Sequence, residues 1–173
     1  RAGATRLSRR PGPHQKRTRR PCRAPRSIGD VQSQETPVRF DTKIAVLLRD
    51  DLQSWQRLNV CAFLASGIAA AHPDTVGEPY ADADGTTYLA MFGQPVMVFE
   101  GSKETLRAAH TRAIGRGLAV SIFTADLFST GNDRANRAAV RAVGRDDLDL
   151  VGLAVHAGRN VVDKVLKGAR MHT

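Results

Sequence analysis

In Lys43-Ile44-Ala45-Val46-Leu47-Leu48 an unbroken apolar run follows the lysine and ends in Arg49-Asp50-Asp51. A short run of this kind suits a strand covered on both faces, with a polar mouth at its C-terminal end. Working outward, Leu52 to Ala71 contains no proline and only Gly67 as a breaker, and it stops at Pro73. That pattern predicts a helix. Val60, Phe63, Leu64 and Ile68 form its apolar stripe, and Ala62, Ala65, Ser66, Ala69 and Ala70 its other side. Small residues there admit a close neighbour. The helix is therefore expected between the sheet and another helix or a partner subunit.

Beyond Pro73 the connection is long, and Asp82-Ala83-Asp84-Gly85 marks a turn. Two β-like runs follow, Thr86–Phe92 and Pro95–Phe99. Ser102 is placed to cap a second helix, with Glu104 near its positive end. Leu106, Ala109, Ala113 and Ile114 keep helical spacing up to Gly115 or Gly117. A strand over Leu118–Thr124, a helix from Asn132 or Asp133 through Val143, a strand over Leu148–Val155 and a helix over Asn160–Lys167 complete the order. Gly168 suits the residue after the last helix. Alternation of this kind predicts an α/β fold in two or three layers, with a mixed, mostly parallel four-stranded sheet and flanking helices.

Charge sets a boundary near Asp41. The formal charge of +9 falls entirely on residues 1–40, where ten Arg and one Lys face Asp30 and Glu35; residues 41–173 are neutral. The first 40 residues hold five prolines and few large apolar side chains. Such a segment cannot offset its ordering entropy and is expected to be disordered. Gln15-Lys16-Arg17-Thr18-Arg19-Arg20 would suit a nucleic-acid arm. Translated GC-rich non-coding sequence and a processed leader are the competing explanations. The basic pI bears on this segment and not on the 41–173 domain.

Several strings carry a family resemblance: Lys43–Leu52, Leu58–Gly67, Gly77-Glu78-Pro79-Tyr80, Gln94-Pro95-Val96-Met97 and Asp163-Lys164-Val165. Together they resemble the second, archaeal and eukaryotic class of peptidyl-tRNA hydrolases. More closely still, the chain resembles an uncharacterised bacterial family that shares their fold. The resemblance implies a four-stranded mixed sheet flanked by helices, commonly in a homodimer. The hydrolase pattern has Arg-x-Asp-Leu after the first strand, which Arg49, Asp51 and Leu52 match. Asp126 resembles its later aspartate. The first helix departs from the pattern. Where the hydrolases carry a glycine- and lysine-containing segment leading to Gln and His, this chain reads Trp55-Gln56-Arg57-Leu58-Asn59. Without that lysine a large electrostatic contribution to ester cleavage is missing, and arginine is not its equivalent.

Strand ends are where open α/β sheets bind ligands. Arg49, Asp51 and Asp126 are thus candidate catalytic residues, with Asp51 orienting a water and Arg49 holding an anionic group. The structural alternative is an ion pair with Asp50 or Asp51 capping the helix. Asn59, Trp55 and Thr124 are candidate ligand-binding residues, Trp55 by stacking on a base; core or loop-holding roles compete. Arg134, Arg137 and Arg141, extended by Arg145, share one helical face and are candidate phosphate contacts, or a solvated face. Cys61 reads as an inert small hydrophobe. His156 reads as a packed or surface histidine.

Asp82 and Asp84 lack the remaining calcium ligands. There is no glycine-rich phosphate loop, serine-nucleophile elbow or Cys/His metal pattern. No metal, cofactor, secretory signal or membrane span is expected, and the default location is cytoplasmic. Three functions compete: a binding module for RNA or a small anionic ligand, a divergent ester or amide hydrolase, and a homodimeric interaction protein.

Overall fold

The computed structural model describes residues 39–172. The chain divides into two units, Arg1–Pro37 and Val38–Thr173. The basic segment expected to be disordered lies outside the described residues except for Arg39 and Phe40. Within the second unit, β1 (Thr42–Arg49) leads into α1 (Ser54–Ala71). A small hairpin follows, β2 (Tyr80–Ala81) and β3 (Thr87–Tyr88). Next come β4 (Val96–Gly101), α2 (Lys103–Ile114), β5 (Val120–Thr124) and α3 (Asp133–Arg141). The chain closes with β6 (Leu150–Gly158), α4 (Arg159–Val165) and β7 (Arg170–Met171).

Five strands form the main sheet in the order β5-β6-β1-β4-β7. The uninterrupted run of β1 is explained by its central place. Ala45 and Leu47 pack against Leu106, Ala109 and Ala113 of α2 and against Val162 and Val165 of α4. Ile44, Val46 and Leu48 face the other way, onto Val60, Leu64 and Ile68 of α1. The result is three layers, with α1 alone on one face and α2 with α4 on the other. Truncating Leu47, which is fully buried, to alanine would cost about 2–5 kcal/mol in lost burial and cavity.

The sheet corrects the expected topology. It has five strands, and only β1 and β4 run parallel; β1 with β6, β4 with β7 and β5 with β6 are antiparallel. A parallel neighbour needs a crossover that lies over a face of the sheet. α3 buries no residue, so it covers no such face, and the chain comes back along β5 as β6. β7 is two residues long and too short to register as a periodicity.

Local signals held. Ser102 Oγ accepts the Thr105 amide at 3.3 Å, and Asn132 Oδ1 accepts that of Ala135 at 2.9 Å. Gly168 has φ 94°. Asp82 closes its turn by accepting the amides of Asp84 and Thr86 and the Tyr88 hydroxyl. The cap of α1 differs from expectation: Gln53 is the capping residue, its amide donating to Gln56 Oε1 at 2.9 Å. α3 ends at Arg141 rather than Val143, and Arg145 begins a separate short turn.

Candidate functional site

Trp55, Asn59, Phe63 and Gly67 are spaced by four residues, so they line one edge of α1. That edge overlooks β5 at the margin of the sheet. With the 3₁₀ turn after β5 (Ala125–Ser129) and the near face of α3, it encloses a cleft of about 770 Å³. Volumes of this order hold a drug-sized ligand.

The cleft exists because α1 lies close to β5. A side chain at Gly67 would place its Cβ 2.2 Å from Ser121 Oγ. One strand further in, a Cβ at Gly152 would stand 2.4 Å from Val60 Cγ1. These two glycines set the depth of α1 on the sheet.

Aromatic rings make the apolar wall. Trp55 meets Phe128 edge to face, Phe123 lies 5.1 Å from Phe128, and Phe63 packs edge-on against Phe123 at 5.6 Å. Trp55 is 56% exposed and Phe63 52%. Phe63 was expected in the core-facing stripe; it turns into the cleft instead, one residue from buried Leu64. The indole Nε1–H donates to Gln53 Oε1 at 2.9 Å, which fixes the ring's orientation. The polar wall is Asn59 opposite Asn136, Arg137 and Arg141 of α3. Arg137 is paired with Asp133 one turn back. Arg141 has no ion pair among the described residues.

The structure divides the predicted residues into groups. Trp55, Asn59, Arg137 and Arg141 come together at the cleft; Arg134 is exposed on α3 but does not line it. Arg49 and Asp51 meet elsewhere. Arg49 Nε binds Asp51 Oδ1 at 2.7 Å and its Nη1 binds Asp149 Oδ1 at 2.8 Å. Lys103 reaches the same Asp149 oxygen at 2.8 Å. Burial lowers the guanidinium's pKa, but Asp51 and then Asp149 outweigh it, and the net shift is upward. Lys103 first, then Arg49, pull the Asp149 carboxyl down against its burial. The cluster ties the C-terminal end of β1 to the start of β6 and of α2. Asp149 and Lys103 escaped the sequence reading because nothing local marks them.

Asp126 is exposed on the turn after β5, and its side chain has no hydrogen bond or ion pair among the described residues. Thr124 is fully buried and its hydroxyl has no protein partner. Neither lines the cleft, so Arg49, Asp51, Asn59 and Asp126 do not surround one cavity. Arg57 is engaged in holding the fold. It binds Glu100 Oε2 at 2.7 Å and the carbonyls of Leu52, at 2.9 Å, and Asp50. Burial pushes the Cys61 thiol's pKa up, as an inert thiol requires.

Among the described residues no group of His, Cys, Asp or Glu is arranged to hold a metal, and no helix is long and apolar enough to cross a membrane.

Comparison with known proteins agrees with this fold. No curated protein matches the chain. A solved structure of a protein of unknown function from Agrobacterium tumefaciens strain C58 is 45% identical, with a TM-score of 0.76. The match covers 78% of this chain and all of that one. The family described as "Protein of unknown function (DUF2000)" matches residues 42–173. The chain belongs to the DUF2000 family.

Proposed function

We propose that this protein is a binding module for a small aromatic anion, held in the cleft between α1 and α3. Four aromatic rings beside an arginine without an ion pair carry the assignment. The flat part of the ligand stacks along Trp55, Phe128 and Phe63. Asn59 satisfies a carbonyl or amide on it. Arg141, with Arg137 behind it, takes a phosphate or carboxylate. A phosphorylated nucleoside has this pattern, and so does the end of an RNA strand.

The scaffold is read as similar to that of second-class peptidyl-tRNA hydrolases, but standard hydrolysis is not the proposed activity. Arg57 is bound by Glu100 where the hydrolases carry their lysine segment, and Asp126 does not line the cleft. Calorimetric titration with phenyl phosphate, phenol and inorganic phosphate tests the assignment. Phenyl phosphate should bind well above either fragment, because both walls contribute. Equal or absent heats for all three would refute it.

A second proposal rests on Leu58, which is 73% exposed on the outer face of α1. Ala62, Ala65 and Ala69 continue its stripe, Ala62 exposed and the other two half-buried. A second copy of the chain covering this stripe would give the homodimer that the family resemblance implies.

A further inference from the structure

Where β1 begins, a separate cavity of about 250 Å³ is enclosed by residues that include Thr42, Asp74, Val76, Gln94 and His156. It shares no lining residue with the aromatic cleft. The Gln94 side chain is more than nine-tenths buried. Its Oε1 accepts the Thr42 hydroxyl at 3.1 Å, while its Nε2 is enclosed and has no protein partner. His156 Nε2 is likewise enclosed and without a partner. Strand register explains the pairing: His156 lies opposite Ile44 on β6, and Gln94 flanks Thr42 from the approach to β4. Buried donors and acceptors are ordinarily satisfied, and two in one cavity point to a missing partner.

The surroundings limit what that partner is. Asp74 stands among the lining residues, and the C-terminal end of α1, with its partial negative charge, ends at His72. His72 packs edge-on against His156 with ring centroids 4.6 Å apart. Burial first, then the neighbouring His72, lowers the pKa of His156 against the opposing pull of Asp74, which favours the neutral ring. No other basic side chain lines the cavity. An anion finds no countercharge here and two repulsive ones.

We propose that this cavity binds an uncharged primary carboxamide. Its carbonyl accepts from Gln94 Nε2, its NH₂ donates to His156 Nε2, and its apolar part rests on Phe40 and Val76. A carboxamide both donates and accepts, so it complements the Gln94 amide and a neutral imidazole together.

The test is a titration of the full ¹⁵N-labelled chain with benzamide, and separately with benzoate, followed on the side-chain amide of Gln94 and the ring nitrogens of His156. Benzamide should shift both saturably, and benzoate should not. Gln94→Leu should abolish the effect. Thr42→Val, which keeps the cavity's volume and frees the Gln94 amide, should weaken binding about fivefold to tenfold, the range for one neutral hydrogen bond. Absence of saturable shifts with benzamide, or equal shifts with benzoate, would overturn the proposal. So would amide protons that exchange magnetisation with water alone in the presence of excess benzamide.

Discussion

The indole of Trp55 stands edge to face against Phe128, with ring centroids 5.7 Å apart and planes inclined at 68°. One residue comes from the first turn of α1 and the other from the turn after β5. The contact ties the start of α1 to that turn within the apolar wall of the cleft, and it leaves the indole 56% exposed.

The arginines on α3 should differ in their effect on binding. Arg141→Ala removes a cation that has no competing carboxylate, and phenyl phosphate affinity should fall about tenfold, near 1.4 kcal/mol. Arg137→Ala also releases Asp133 from its pair, so its effect should be smaller at low salt. Arg134→Ala should change nothing, because Arg134 does not line the cleft. Calorimetry on the three variants checks the order.

Gly67→Ala should destabilise the fold by about 1–3 kcal/mol, the range for an overpacked contact. The clash is with a single atom, Ser121 Oγ at 2.2 Å. Adding Ser121→Ala should therefore recover part of the loss, and a double-mutant cycle in urea would show the coupling. Purely additive losses would mean that α1 does not approach β5 as described.

Acid stability should depend on Glu100. Hydrogen bonds from Arg170 and then Arg57 hold its carboxyl at about 2, below its ordinary 4.5. The folded state thus keeps Glu100 ionised after the unfolded chain has taken up a proton. The associated stability is complete above pH 4.5 and is lost as the pH falls from there toward 2. Glu100→Gln should flatten that part of a denaturation profile. His110 acts in a higher window. Burial lowers its pKa from 6.5, so stability should begin to fall as the pH drops below 6.5, where the unfolded state protonates first. Replacing His110 with asparagine should remove that slope.

Leu58→Glu should leave thermal stability of the isolated chain almost unchanged, since the side chain is exposed. If α1 carries a dimer contact, the same change should convert a dimer to a monomer by sedimentation equilibrium. A wild-type monomer at all concentrations would contradict the dimer proposal.

How much of this the sequence reveals depends on range. Helix caps at Ser102 and Asn132, the Asp82–Gly85 turn and the fully covered strand at 43–48 are set by neighbours in the chain, and all could be read directly. Strand polarity could not. Whether β6 runs with or against β5 is decided by where α3 packs, and its apolar positions, Ala135, Ala138, Ala139 and Val140, are too small and few to announce that. Part of the cleft was visible as Trp55, Asn59, Arg137 and Arg141. Phe63 was assigned to the core because its spacing from Val60 and Leu64 fits a stripe. The step of four residues from Trp55 through Asn59 and Phe63 to Gly67 was the signal that separates this edge from the buried one. Phe123 and Phe128 join it only through the sheet, as Asp149 joins Arg49, and no local pattern encodes such meetings.

Trp55 is the single tryptophan of the chain, so its emission reports on the cleft alone. The most direct measurement is a titration of that emission with phenyl phosphate, in the wild-type protein and in Arg141→Ala. A ligand stacked on the indole should quench or shift the emission saturably, with the midpoint displaced about tenfold in the variant. An emission unchanged through millimolar phenyl phosphate, or a midpoint identical in both proteins, would contradict an aromatic-anion site between α1 and α3.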